Sequence, residues 1–232
     1  MRNTLIIPLL FTLSAVFGQT SQKVVIIDNS VDPGMVDEIK LPPSKVKGSV
    51  YYTENWNIGK IYLNSGQILL NFPIRYDVEN NRVEIRAGNT IKVCEWSQYS
   101  KFEWMDQELN DSVYFYNSSH FIYQDGTPPI GALRILYNGE TKVFAKPYVK
   151  ILNSNYAPTV DIGDRDHKMV HRDAYAILYN GFIMEFKNKK ELLDIIENKT
   201  DLLKNYMKKN SLKATKGEDL VQAMVYYDRI KN

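Results

Sequence analysis

Hydrophobic and polar residues alternate with a period of two along the middle of the chain, from Gly48 to about residue 150. The pattern is clearest at residues 74–79, where apolar and charged residues alternate, and it recurs at residues 82–86. Such alternation is typical of antiparallel β-strands that bury one face and expose the other. We therefore predict antiparallel strands here, with an apolar inner face and a hydrated, charged outer face.

Turn residues divide this region into hairpins. Asn64-Ser65-Gly66 separates two apolar runs and supplies a glycine for the left-handed position of a three-residue loop. Residues 132–144 and 174–186 are identical at 7 of 13 positions, and both centre on Asn-Gly, the preferred dipeptide of a type I′ turn. In the second segment, the turn should pair Tyr179 with Phe182 and bury an entirely apolar face. The other expected pairs are Ile177 with Met184 and Tyr175 with Phe186.

After Phe186 the hydrophobic spacing becomes that of helices. Three segments carry apolar residues on one helix face: residues 192–196, 202–207 and 220–227. Thr215 and Glu218 have the spacing of a capping box, which predicts the start of the third helix. The whole pattern predicts an α+β fold that is mainly antiparallel β, as a sandwich or partly closed barrel, with a C-terminal helical subdomain.

The N-terminus has the features of a secretory signal peptide. Arg2 supplies a positive charge, residues 5–17 form an uncharged apolar run, and small Gly18 precedes the expected cleavage point. The run is shorter than the ~20 apolar residues of a membrane-spanning helix, although a membrane anchor is the competing interpretation. We therefore predict that the protein is exported to the periplasm, cell surface or extracellular space. We also predict that it is not an integral membrane protein. The predicted boundaries are 1–18 for the signal peptide, 19–47 for an N-terminal arm, 48–186 for the β domain and 187–232 for the helical subdomain.

The composition narrows the functional classes. The full chain has 29 basic and 27 acidic residues. Removal of the predicted signal peptide takes away Arg2, which leaves 28 basic and 27 acidic residues and a net charge of +1. This near balance gives no electrostatic footprint for nucleic acid, which we exclude as a partner. The single cysteine, Cys94, excludes an intramolecular disulfide, so an exported chain of this length depends on its core for stability.

Lysine is concentrated in the helical region. Between Lys187 and Lys216 there are nine lysines and four acidic residues. Such an excess either attracts an anionic surface or forms a solvated helix exterior, with the acids interleaved among the lysines.

Several short motifs occur together along most of the mature chain. Gly-x-Ile-x-Leu-x-x-Gly at residues 59–66 precedes Ile-Arg-Tyr-Asp at 74–77. The C-terminal motifs are Lys-Glu-Leu-Leu at 190–193, Lys-Asn-Tyr at 204–206, Lys-Asn at 209–210 and Glu-Asp-Leu at 218–220. In these motifs the chain resembles a group of secreted and envelope proteins, without an assigned activity, that is common in Bacteroidota. The resemblance implies export in a Gram-negative bacterium and a β-then-α layout, and it implies no catalytic residue.

His167 and His171, together with Asp164, are the candidates for a metal site. Their i, i+4 spacing would place both imidazoles on one face if the segment were helical. A catalytic zincin motif needs glutamate directly after the first histidine, where this chain has Lys168. The alternative is an exposed loop whose charged side chains are hydrated. No motif predicts a cofactor.

Arg75 and the three tryptophans are the candidates for ligand binding. Arg75 lies in the middle of a predicted strand, where it either faces a ligand or forms an exposed cross-strand ion pair with an acid such as Glu84. Trp56, Trp96 and Trp104 either line a groove for a glycan or an apolar ligand, or fill the core of the β domain. The sequence pattern leaves both choices open.

These observations favour a non-enzymatic exported protein that binds a ligand or makes a structural interaction in the periplasm or at the cell surface. The expected partner is a protein, or a glycan or lipid of the envelope. Two alternatives stay open: an exported hydrolase whose acid and base no motif marks, and a carrier of a small apolar ligand. A cleft with two convergent carboxylates would favour the hydrolase, and an enclosed apolar cavity would favour the carrier.

Overall fold

The computed structural model describes residues 46–106, 111–153 and 166–231. The predicted signal peptide, all but the last two residues of the arm, and Asp164 lie outside the described residues. The strands are β1 (Val46–Lys47), β2 (Asn57–Leu63), β3 (Ile68–Asp77), β4 (Arg82–Ala87), β5 (Thr90–Cys94), β6 (Tyr99–Asp106), β7 (Asp111–Asn117), β8 (Ala132–Tyr137), β9 (Lys142–Leu152), β10 (His167–Tyr179) and β11 (Phe182–Phe186). The helices are α1 (Lys189–Ile195), α2 (Thr200–Lys209) and α3 (Gly217–Ile230), and a short 3-10 turn covers Ser118–His120.

The described strands form one sheet of eleven strands in the order β1-β10-β9-β8-β7-β6-β2-β3-β4-β5. Strand β11 pairs with the end of β10, and the short β1 pairs with the start of the same strand. The β1–β10 pair is parallel, and the other pairs are antiparallel. Within the described residues the sheet is open, with β1 and β5 at its ends. The predicted fold class, mainly antiparallel β with C-terminal helices, is confirmed.

Strands β2 to β7 surround an aromatic core. Phe115 stacks with Phe102 and with Trp104, at centroid distances of 4.8 and 5.1 Å. Tyr76 joins the cluster, and its hydroxyl accepts a hydrogen bond from the Ala132 backbone N–H at 3.2 Å. Aromatic side chains each bury a large area, so this cluster stabilises the part of the sheet formed by β2 to β7 and ties β8 to it.

The charged outer face of β3 and β4 is hydrated only in part: Arg86 is exposed as predicted, but the prediction is wrong for three other residues of this face. Asp77, Arg82 and Glu84 are 1%, 3% and 0% exposed. Arg82 Nε lies 3.3 Å from Asp77 Oδ2. Arg75 Nη2 lies 2.7 Å from Glu84 Oε2. The register of β3 and β4 places each acid opposite its arginine, and this compensation allows the charged face to be buried.

The hairpin of β10 and β11 has the predicted register. Tyr179 pairs with Phe182, and the two turn residues Asn180 and Gly181 have φ angles of 50° and 85°. Two successive positive φ values are those of the predicted type I′ turn. On the apolar face of this hairpin, Ile177 joins one core with all three helices. The buried helical residues of that core include Leu192, Leu203, Met207, Leu220, Met224 and Tyr227.

The earlier Asn-Gly segment does not form the two-residue turn that it predicts. Tyr137 pairs with Val143, which leaves a wider loop, and residues 138–139 have no positive φ angle. Asp228 of α3 accepts hydrogen bonds from the Thr141 backbone N–H at 3.0 Å and from the Tyr137 hydroxyl at 3.1 Å. A tertiary contact with α3 therefore replaces the local turn preference.

The capping box is at a different helix from the one predicted. The N-cap residue of α3, Lys216, makes no side-chain cap bond, so the predicted capping box of Thr215 and Glu218 is wrong. At α1, the Asn188 side chain accepts a hydrogen bond from the Glu191 backbone N–H at 3.0 Å. The Glu191 carboxylate in turn accepts from the backbone N–H before Asn188, at 2.7 Å. This reciprocal pair satisfies the free N–H groups where α1 begins.

Candidate functional site

An open cleft of about 960 Å³ lies between the part of the sheet formed by β2 to β7 and the part that packs against the helices. One wall comes from the chain that enters β2 and from the end of β6, and the other comes from the middle of β9 and β10 and from the turn before α3. The first wall contributes Tyr52, Thr53, Asn55, Trp56, Asn57 and Asp106, and the second contributes Pro147, His171, Arg172, Asp173, Tyr175 and Thr215. Most of these side chains carry hydrogen-bonding groups, so the cleft suits a polar ligand.

Trp56 is the tryptophan that the fold places in the cleft. The guanidinium carbons of Arg75 and Arg86 lie over its indole, each 4.3 Å from a ring centroid. A cation–π contact of this kind contributes about 0.5–1 kcal/mol at exposed sites and more when desolvated. The side chains of β3 and β4 therefore set the orientation of Trp56 in the first wall.

Arg75 itself does not line this cleft. Its guanidinium donates to Glu84 Oε2 from Nε at 2.8 Å and from Nη2 at 2.7 Å, and it lies 3.6 Å from the Tyr51 ring centroid. The Tyr51 hydroxyl donates to Glu84 Oε1 at 3.0 Å, and burial together with the Glu84 charge raises the pKa of this hydroxyl to about 12. Arg75 also borders a separate depression of about 300 Å³ with Tyr51 and Glu54. Of the two roles considered for Arg75, the ion pair is present, but it is not an exposed one: the Glu84 side chain is 0% and the Arg75 side chain 16% exposed.

The other two tryptophans lie away from the cleft. Trp104 is buried in the aromatic core, and its indole N–H has no hydrogen-bond partner among the described residues. Trp96 is 41% exposed, and its backbone carbonyl accepts a hydrogen bond from the Asn117 side chain. Trp104 is thus a core residue, and neither tryptophan contributes to the walls of the cleft.

Two acidic residues lie on opposite walls of the cleft. Asp173 on β10 accepts a hydrogen bond from Arg134 Nη2 at 3.2 Å. Burial raises the pKa of Asp173 above its ordinary value, and the nearby charges of Arg134 and His171 lower it only in part. Burial also raises the pKa of the Tyr52 hydroxyl, on which the charges of Asp173 and Asp106 both act. The cleft therefore brings a phenol and two carboxyl groups within electrostatic range of one another.

Two buried nitrogen atoms in this region have no hydrogen-bond partner among the described residues: His171 Nδ1 and Arg134 Nε. His171 Nε2 lies 2.9 Å from the Ser49 backbone carbonyl. Because a carbonyl only accepts, Nε2 carries a proton. Both atoms are enclosed by protein, and an unsatisfied buried polar atom costs about 1–3 kcal/mol.

The second wall is attached to the start of α3. The Gly217 backbone N–H hydrogen-bonds the Tyr175 hydroxyl, which lowers its pKa against the larger raising effect of burial. A side chain at Gly217 would approach Leu136 to 3.1 Å and the Tyr175 ring to 3.4 Å, so glycine permits this close packing. The start of α3 therefore packs against the second wall, and Thr215 before it is part of the lining of the cleft.

His167 and His171 do not share a site. Both lie on β10, so four residues separate them by roughly 13 Å at the rise of a β-strand. The metal hypothesis needed a helix to bring the two imidazoles together. Within residues 46–106, 111–153 and 166–231 there is no group of three or more His, Cys, Asp or Glu side chains that could hold a metal ion. Asp164, the third predicted ligand, lies outside those residues.

Most of the cleft could not be identified from the sequence. Tyr52, Asp106 and Asp173 come from distant parts of the chain and share no motif. One signal was available: alternation along β10 places His171, Asp173 and Tyr175 on the same face of that strand. This face supplies three of the four residues that β10 contributes to the second wall, and the fourth is Arg172.

Comparison with known proteins adds no assignment. No protein-family model, curated protein or solved structure matches this chain. None of the described helices is both long enough and apolar enough to cross a membrane. Any assignment of function therefore rests on the geometry of the cleft.

Proposed function

We propose that this chain is an exported, non-enzymatic binding protein of the periplasm or cell surface, and that its cleft holds a glycan. The observation that carries this proposal is an open cleft of about 960 Å³ lined by the aromatic residues Tyr52, Trp56 and Tyr175 together with residues that carry hydroxyl, amide and carboxyl groups. Ligand pockets span about 300–1,000 Å³, so this volume fits a ligand of several sugar units.

The lining matches the two kinds of surface on a sugar. The C–H faces of a pyranose ring are apolar and pack on aromatic side chains, while its hydroxyl groups donate and accept hydrogen bonds. Asn55 and Asn57 supply amide groups, and Asp106 and Asp173 supply acceptors on both walls. This polar lining disfavours a carrier of an apolar ligand, and acids on both walls disfavour a phosphate-rich ligand in the cleft.

The test is calorimetric titration of the mature protein with hexasaccharides of glucose, mannose, xylose and N-acetylglucosamine. One class should bind saturably, and Trp56→Ala should weaken its binding by about tenfold, since an aromatic contact adds about 0.5–1.5 kcal/mol beyond its buried area. Trp96→Ala is the matched control, because Trp96 is partly exposed and outside the cleft. Equal losses in the two variants, or no binding of any class, would contradict the proposal.

A glycan hydrolase is the second candidate, favoured by the raised pKa of Asp173 and by Asp106 on the opposite wall. Glycoside hydrolysis uses two carboxyl groups, one as general acid and the other as base or nucleophile. The two candidates differ in whether the wild-type protein releases reducing ends from the glycan that it binds. A binding protein releases none, whereas a hydrolase releases them and loses this activity on Asp173→Asn.

Export is part of the proposal and is supported by the pattern of residues 1–18. Fractionation of a Gram-negative host that expresses the full chain should place the protein outside the cytoplasm, and deletion of residues 2–18 should retain it inside. Mass spectrometry of the exported protein should show that its N-terminal residue is Gln19. An intact N-terminus on membrane-bound protein would instead support an anchor.

A further inference from the structure

Helices α1 and α2 bring together three lysines that are spread along the sequence. Lys204 and Lys208 lie one turn apart on α2. Lys189, at the start of α1, reaches across to α2, where its ammonium donates to the Lys204 backbone carbonyl at 3.3 Å. Lys189 is half-buried, whereas the other two side chains are exposed. We refer to these three residues as the lysine cluster.

No acid offsets the lysine cluster among the described residues. None of its three members takes part in an ion pair there. Burial lowers the pKa of Lys189, and the charges of Lys204 and Lys208 lower it further. By contrast, Lys216 is paired with two acids of α3 and its pKa is raised. The lysine cluster therefore repels itself, and a bound anion would remove that repulsion.

We propose that the lysine cluster binds the phosphate group of an anionic ligand. Phosphate carries negative charge on several acceptor oxygens, and lysine binds it as a point charge with three donors. The bond from Lys189 to the α2 backbone holds one ammonium in place before any ligand arrives, so less side-chain freedom is lost on binding. The lysine cluster is not part of the lining of the cleft, so this site is independent of the glycan proposal.

The first experiment is titration of the mature protein, labelled at its lysine side chains, with inorganic phosphate, followed by NMR. The Lys189 signal should shift saturably, and its pKa should rise as phosphate neutralises its neighbours. The double variant Lys204→Gln/Lys208→Gln should bind phosphate at least about tenfold more weakly, because two charge-assisted contacts are lost. Lys209→Gln/Lys213→Gln removes the same charge from exposed lysines outside the lysine cluster and should leave affinity within twofold. Circular dichroism would check that both variants fold.

The second experiment identifies the source of the phosphate group. Flotation is measured with phosphatidylcholine vesicles that do or do not contain phosphatidylglycerol. Flotation that requires phosphatidylglycerol and is lost on Lys204→Gln/Lys208→Gln identifies a lipid headgroup, whereas phosphate binding without flotation identifies a soluble phosphate ester. The proposal is overturned if neither probe binds, or if Lys209→Gln/Lys213→Gln loses as much binding as the variant of the lysine cluster.

Discussion

Replacing Arg75 by methionine should strongly destabilise the protein, because it leaves a buried carboxylate without its cation. Glu84 is 0% exposed and accepts two hydrogen bonds from Arg75, at 2.8 and 2.7 Å. After the change, the Tyr51 hydroxyl at 3.0 Å remains as a donor to Glu84. Removing one partner of a buried ion pair costs about 3–5 kcal/mol. Methionine keeps much of the arginine side-chain volume, so the loss should come mainly from the charge.

The double variant Arg75→Met/Glu84→Gln separates this explanation from a general loss of packing. A neutral amide in place of the carboxylate removes the uncompensated charge, so the double variant should be more stable than Arg75→Met alone.

The assay is urea unfolding followed by far-UV circular dichroism, with Lys60→Met as the control. Lys60 Nζ lies 3.0 Å from Glu103 Oε1, but the Lys60 side chain is 46% exposed, so breaking this pair should leave the midpoint nearly unchanged. The reasoning is refuted if Arg75→Met loses no more stability than Lys60→Met. It is also refuted if adding Glu84→Gln to Arg75→Met lowers stability further.

Three more changes test the fold and the cleft. Phe102→Ala should lower the free energy of unfolding, measured in urea, by about 3–5 kcal/mol, because the ring is buried and stacks on Phe115. A loss below about 1 kcal/mol would contradict the assignment of Phe102 to the core. Gly181→Ala should lower the free energy of unfolding by about 1–2 kcal/mol, because φ is 85° at this residue. No atom lies near enough to clash with the added methyl group, so the loss reports the backbone conformation alone. An unchanged unfolding midpoint would argue against the left-handed turn. The raised pKa of Asp173 means that its proton stabilises the folded state fully below pH 3.8 and that this contribution is lost as pH rises through the raised value. In the Asp173→Asn variant, the thermal midpoint should therefore change less with pH just above pH 3.8 than in the wild-type protein. Parallel curves of midpoint against pH for the two proteins would contradict this.

The sequence determined those elements whose cause is local. The turn at Asn180-Gly181 and its register could be predicted residue by residue, because two positive φ angles define the turn and the turn aligns the strands. The three C-terminal helices followed from apolar spacing alone. The same Asn-Gly dipeptide at residues 138–139 failed as a predictor, because Asp228 binds the loop from a helix far along the chain.

Tertiary structure decided which strand faces meet water and which side chains share the cleft. Alternation places Glu84 on the charged face of β4, but it does not show that Tyr51 packs over that face and buries the carboxylate. Tyr52 and Asp173 meet because the sheet brings the entry to β2 near the middle of β10, and no local pattern records that approach. Period and turn chemistry act over a few residues, whereas burial and proximity depend on how the whole sheet packs against its entry segment and its helices.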